Sequence, residues 1–147
     1  IAQALKLIAA FEQYADVILG LNEKESSEIG SVLGLDTNDH SPEGLVKVGE
    51  QIRQHVPVNT IVIHPTHYAL AVSAAGSAVV EGPFTPKPLI TTGAGDHFNA
   101  GFCLAKLLGL DNESSLLTGV TTSGFYVRTA KSPAVADLAG LLQNWPT

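Results

Sequence analysis

The stretch Thr91-Thr92-Gly93-Ala94-Gly95-Asp96-His97-Phe98-Asn99-Ala100-Gly101-Phe102 joins a strand end, a glycine turn and a helix start in one continuous piece. Without Cβ atoms at 93 and 95 the backbone can approach a ligand closely and aim unpaired N–H groups at one point, where the helix dipole adds partial positive charge. Phosphate is the natural occupant of such a turn. The same field favours a negative charge on Asp96 in the first helical turn. A carboxylate then stands beside the bound phosphate, ready to take a proton from an attacking hydroxyl. A plainer reading competes, in which the glycines only make a tight turn and Asp96 only caps the helix. Other phosphate motifs fit worse: G-x-G-x-x-G fails because Phe98 stands where the third glycine would allow close helix packing, and no Walker lysine follows a glycine loop.

Outward from this turn, helices and strands alternate. Leu5, Ile8, Ala9 and Phe11 give residues 2–14 a helical spacing, and 16–19 form a short apolar strand ending at Gly20. Asn22 caps a helix through Leu33, with Glu23 and Glu25 in its first turn, and Gly34 ends it. Ser41-Pro42-Glu43 is a cap followed by proline at the first helical position and opens a helix to about Gln54. Residues 60–64, 68–73 and 77–81 read as strands, the last two as a hairpin. Three prolines in 82–88 mark an extended surface crossing, and 89–91 form the strand that ends in the glycine turn. Helices then run to about Leu108, from Asp111 or Asn112 to about Arg128, and from Ser132-Pro133 to near Trp145. This order predicts an α/β layered fold.

The 147 residues are 45% hydrophobic and 15% charged, the usage of one compact domain. Eight Lys and Arg against fourteen Asp and Glu give a formal charge of -6, with the basic residues scattered, which argues against nucleic acid as a partner. Cys103 is the single cysteine, so neither an internal disulfide nor a zinc cluster is expected. No apolar run reaches the roughly 18 residues of a membrane span, and residues 1–11 lack the features of a signal peptide. The expectation is a soluble, cytoplasmic protein with no membrane partner. The chain has no methionine, so the expectation is that residue 1 is not an unprocessed translation start.

The run Thr92-Gly93-Ala94-Gly95-Asp96-x-Phe98-x-x-Gly101-Phe102 resembles the C-terminal signature of the PfkB carbohydrate kinases, the ribokinase family. A second match lies upstream in the family's order, where Asn22-Glu23-Lys24-Glu25 resembles its Asn-x-x-Glu motif. The resemblance implies that Gly93, Ala94 and Gly95 form the anion hole for the transferred phosphoryl group, that Asp96 is the catalytic base, and that Thr92 lies at the nucleotide phosphates. It implies ATP and ADP as cofactors and Mg2+ organised through water by Asn22 and Glu25. Residues i and i+3 share a helix face, so an amide and a carboxylate can converge there, although a plain acidic helix start reads equally well from the residues alone. The resemblance further implies a three-layer, Rossmann-like, ribokinase-like fold. Of that fold, residues 1–147 would be the nucleotide- and phosphate-binding C-terminal half: a mostly parallel sheet flanked by helices, with an antiparallel hairpin. The adenine pocket would be walled by the segments 60–72 and 118–131.

This sequence departs from the family at three places. The family's Asp two residues before Thr-Gly-Ala-Gly is Ile90 here, which argues against a monovalent cation site. The glycine-containing turn after the strand 60–64 is replaced by Pro65-Thr66-His67-Tyr68. The family's N-terminal half, with its Gly-Gly motif, sugar ligands and lid, has no counterpart in residues 1–147, so the sugar-like acceptor site is expected to lie outside this chain and the chain alone is expected to be inactive; a homodimer is expected only of the full-length protein. The functional expectation is ATP-dependent phosphotransfer to a hydroxyl of a sugar or similar small molecule. The alternatives are a non-catalytic nucleotide- or phosphate-binding module, a vitamin-precursor kinase or an ATP-dependent dehydratase. His64 and His67 share no helix face and read as polar turn residues rather than metal ligands. Cys103, deep in an apolar helix, reads as a small core residue.

Overall fold

In the computed structural model, which describes residues 1–146, the order is α1 (Ala2–Phe11), β1 (Ile18–Leu21), α2 (Glu23–Val32), α3 (Pro42–His55), β2 (Thr60–Ile63), β3 (Tyr68–Ser73), β4 (Gly76–Glu81), α4 (Ala94–Leu107), α5 (Asn112–Thr129) and α6 (Val135–Gln143). The fold is α/β, with a mixed sheet in the order β1-β2-β3-β4. The chain divides into two units, residues 1–65 with 70–79, and residues 66–69 with the chain from Val80 onward.

In the first unit β1 and β2 are parallel, with Ile18 opposite Thr60 and Leu21 opposite Ile63. β2 and β3 are antiparallel, with Thr60 opposite Ser73 and Ile63 opposite Leu70. Strand β2 is buried at every position, as a strand paired on both edges and covered by helix must be. Its cover is α3, whose Leu45, Val48 and Ile52 recur at helical spacing and are at most 3% exposed. The helix lies low on the sheet because position 49 is glycine: a Cβ there would stand 3.2 Å from Val72 Cγ2 and 3.7 Å from Ile63 Cδ1. Helix α3 starts as the sequence indicates, with Pro42 inside and the Ser41 hydroxyl accepting from the Gly44 N–H at 3.1 Å. Helix α1 is shorter than its pattern and β1 begins later. The reason is Glu12, whose Oε2 accepts from the N–H groups of Val17 (3.0 Å) and Asn59 (2.8 Å), holding the connection as a carboxylate-bound loop rather than as more strand.

In the second unit α4 and α5 pack as a close pair. Gly101 makes the approach: a Cβ there would collide with Thr122 Oγ1 and lie 2.8 Å from the Thr118 carbonyl oxygen. Gly119 does the same for Phe98, whose ring carbon Cε2 would be 2.8 Å from an added Cβ. Phe98, Phe102, Ala105 and Leu116 are each at most 2% exposed in this interface. The connection between the helices turns at Gly109 (φ 79°), and Asp111 caps α5 by accepting from the Ser114 N–H at 2.8 Å. The proline crossing docks on α5, with Pro83 against Gly124 and the Arg128 Nη2 donating to the Phe84 carbonyl at 2.7 Å.

Three sequence readings in this unit are corrected. Residues 89–91 are not a strand; the Leu89 N–H donates at 2.8 Å to the Val127 carbonyl in the last turn of α5, which has no intrahelical donor of its own. Cys103 is exposed rather than core, because the buried stripe of α4 runs through Phe98, Gly101, Phe102 and Ala105 and leaves 103 on the outer side. Helix α6 begins at Val135, after the Ser132-Pro133 pair, where Asp137 Oδ2 accepts from the Ala134 N–H at 2.8 Å.

Candidate active site

The glycine turn is a type II β-turn on residues 91–94. Gly93 has φ 89° and ψ 0°, the third position of that turn, where an L side chain is strained, and the Ala94 N–H donates to the Thr91 carbonyl at 3.1 Å. Helix α4 follows with Gly93 as its N-cap and no side-chain cap. The first intrahelical bond runs from the His97 N–H to the Gly93 carbonyl at 3.1 Å. Of the three residues expected to form an anion hole, Ala94 thus has its amide engaged within the turn, while the amides of Gly93 and Gly95, like that of Asp96, have no acceptor among the described residues. They open at the positive end of a 14-residue helix. The Asp96 carboxylate is exposed and does not cap the helix. Thr92 is exposed and Gly93 and Gly95 are half-buried. The turn therefore offers the free donors of Gly93, Gly95 and Asp96, one uncommitted carboxylate and local positive field within a few residues.

Aromatic side chains that the sequence reading did not single out hold this turn. The Tyr126 hydroxyl, from the last part of α5, donates to the Thr92 carbonyl at 3.0 Å. The His97 ring stacks on Tyr126 with centroids 3.6 Å apart and planes 13° apart. His97 Nδ1 lies 2.8 Å from the Gly93 carbonyl oxygen and Nε2 lies 2.9 Å from Ser132 Oγ. A carbonyl only accepts, so Nδ1 carries a proton, and in the neutral ring Nε2 accepts from the serine hydroxyl. Ser132 comes into reach because Ala130, the C-cap of α5, takes the left-handed conformation (φ 55°, ψ 28°) and turns the chain. These partners are separated by 34 and 35 residues, so no local pattern announces them.

In the first unit, Asn22 and Glu25 stand at the start of α2 and form a capping box. Asn22 Oδ1 accepts from the Glu25 N–H at 2.8 Å, and Glu25 Oε2 accepts from the Asn22 N–H at 2.9 Å. Both side chains are exposed, and Glu25 Oε1 has no donor among the described residues. The plain helix-start reading is therefore realised here, and it leaves one carboxylate oxygen facing outward. Among the described residues no group of three or more His, Cys, Asp or Glu side chains could hold a metal. The donor set fits a magnesium ion that keeps its waters and takes its other ligands from phosphates, the coordination Mg2+ prefers. Nearby, burial pushes the His64 pKa below its ordinary 6.5, partly opposed by the Glu25 charge.

The family model for prokaryotic ketohexokinase matches residues 1–145. The chain belongs to this family. A curated ketohexokinase of Haloferax volcanii is 30% identical over 145 residues, which are 99% of this chain and 37% of the relative. Among solved structures, Escherichia coli phosphofructokinase-2 in complex with fructose-6-phosphate aligns with a TM-score of 0.72 at 16% identity, over 97% of this chain and 44% of the other. Thermotoga maritima ribokinase aligns with a TM-score of 0.69 at 23% identity, over 92% and 45%. At these identities the structures establish the fold, which is ribokinase-like. The ketohexokinase-family chain thus spans less than half the length of these relatives. Thr92, Gly93, Ala94, Gly95 and Asp96 come together in one turn, and Asn22 and Glu25 in another.

Proposed function

We propose that this chain is the phosphoryl-transfer part of a kinase that moves the γ-phosphoryl group of ATP to a hydroxyl of a ketohexose. The observation that carries the proposal is the exposed, uncapped Asp96 carboxylate beside the unpaired amides of Gly95 and Asp96 at the start of α4. The curated relative's name supports the sugar class, and the family match supports a kinase over a binding module or a dehydratase. The acceptor hydroxyl gives its proton to Asp96 as its oxygen bonds to the γ-phosphorus. The bond from that phosphorus to the bridging oxygen breaks, and ADP leaves. The amides of the turn hold the charge on the phosphoryl oxygens, a contribution of positioning and preorganised dipoles rather than of covalent chemistry. Bound Mg2+ would neutralise phosphate charge, with Asn22 and Glu25 holding its waters.

The test uses the full-length protein with MgATP and fructose, with glucose as the contrasting aldohexose, following ADP release. The expected result is turnover with the ketohexose, and a loss of about 10²–10⁴-fold in kcat for Asp96→Asn with MgADP affinity kept within about twofold. Undiminished turnover by Asp96→Asn overturns the assignment. Nucleotide binding without turnover on any sugar makes the chain a binding module.

A further inference from the structure

The type II turn differs from a type I turn chiefly in its central peptide, which is rotated by roughly half a turn between the two. Here that peptide joins Thr92 to Gly93. In a planar trans peptide the N–H leaves opposite to the C=O, so whatever holds the Thr92 carbonyl also aims the Gly93 N–H. The group that holds it is the Tyr126 hydroxyl, at 3.0 Å. If this peptide flipped, the Gly93 donor would turn away and the Thr92 carbonyl oxygen, an acceptor, would take its place on the phosphoryl side. The next peptide is held as well: its carbonyl, that of Gly93, receives His97 Nδ1–H at 2.8 Å, and its N–H, that of Ala94, donates to Thr91.

Tyr126 is itself seated. Its ring lies on His97 at 3.6 Å, and a Cβ at Gly93 would stand only 3.2 Å from its hydroxyl, so backbone and phenol are in contact. His97 is fixed at its far side by Ser132, delivered by the left-handed turn at Ala130. A left-handed alanine costs roughly 1–2 kcal/mol, and Ala130 is the one non-glycine residue with positive φ among the described residues. Such a conformation persists where surrounding contacts require it. Tyr126, His97 and Ser132 thus form one connected brace on the two peptides that flank Gly93.

We propose that Tyr126, seated on His97, is a positioning residue for phosphoryl transfer: it locks the Thr92–Gly93 peptide in the orientation that keeps the Gly93 N–H, and not the Thr92 carbonyl, toward the transferred phosphoryl group. This inference rests on the reading of the turn as the phosphoryl site. The lock matters for the transition state, where charge builds on the phosphoryl oxygens, more than for nucleotide binding, which has other contacts.

The experiment is steady-state kinetics of the full-length protein with MgATP and a ketohexose for wild type, Tyr126→Phe, His97→Asn, His97→Ala and Asp96→Asn, each with its thermal midpoint. Tyr126→Phe removes only the hydroxyl and keeps the ring on His97. The expected result is a kcat lowered about five- to tenfold, the size of one lost hydrogen bond, with KM for ATP within about twofold and a nearly unchanged thermal midpoint. An asparagine amide can replace Nδ1 toward the Gly93 carbonyl, so His97→Asn retains several times the kcat of His97→Ala. Wild-type kcat in Tyr126→Phe overturns the inference. So do equal losses in the two His97 variants, or a rise in KM with kcat unchanged. The Asp96→Asn arm separates the two claims: if that variant turns over normally the phosphoryl-site reading itself falls, and if it is dead while Tyr126→Phe is normal only the lock falls.

Discussion

Replacing glycine by alanine inside a helix ordinarily stabilises it, by about 1 kcal/mol, and this protein sets up that substitution with opposite outcomes at two sites. At Gly140, inside α6, an added Cβ meets nothing within 4 Å. Gly140→Ala is therefore expected to stabilise by about 0.5–1 kcal/mol. At Gly101, inside α4, the Cβ collides with Thr122 Oγ1 and stands 2.8 Å from the Thr118 carbonyl oxygen and 2.9 Å from Thr122 Cβ. A backbone oxygen and a branched carbon cannot swing aside, so α4 and α5 must separate and loosen the packing of Phe98 and Phe102. Overpacking of this kind costs about 2–3 kcal/mol at the upper end of its usual range, which leaves Gly101→Ala about 1–2 kcal/mol destabilised after the helix gain. The two variants should thus melt several degrees apart, at roughly 2–4 °C per kcal/mol. Thermal unfolding followed by circular dichroism measures this. Thr122→Ala in the Gly101→Ala background removes the colliding hydroxyl and should recover about 1 kcal/mol, a coupling that independent sites do not show. If Gly101→Ala melts at or above Gly140→Ala, the helices are not held at glycine distance and the packing argument is wrong.

Two further predictions concern the first unit. Burial holds the His64 pKa below 6.5; below that value the unfolded chain takes up a proton that the folded chain does not, so stability is full above it and declines as the pH falls through the window beneath. His64→Gln should flatten that decline, and thermal midpoints at about pH 7.5 and 5.5 check it; parallel declines in the two proteins would refute it. Glu25→Gln keeps an oxygen to accept from the Asn22 N–H, so the capping box and the melting point should survive, while the magnesium concentration for half-maximal turnover rises about tenfold; an unchanged magnesium requirement would leave Glu25 a helix cap and nothing more.

The parts of this fold legible in the sequence are those governed by neighbours along the chain. Asn22, Ser41 and Asp111 are caps in the sequence and caps in the structure, because a side chain reaching an amide three residues on needs nothing from the rest of the fold. Gly93 announces its turn because almost nothing else tolerates φ near 90°. The failures share the opposite cause. Residues 89–91 carry strand-like chemistry, yet the Leu89 amide finds the Val127 carbonyl at the end of a helix 38 residues away. Cys103 sits among apolar residues, and only the helix's angular placement against α5 decides which of them face inward. The candidate site divides the same way. Gly93, Gly95 and Asp96 form a local motif, whereas Tyr126 and Ser132 reach it from more than thirty residues downstream.

Strand β2 has hydrogen-bonded neighbours on both edges and no position open to solvent. Its amides can exchange with deuterium only when β1 or β3 detaches, and detaching either strips cover from Ile61 and Ile63, both wholly buried. Loss of this strand therefore amounts to loss of the whole unit rather than to local fraying, so the slowest-exchanging amides of the first unit belong to Thr60–Ile63 and report its global opening free energy.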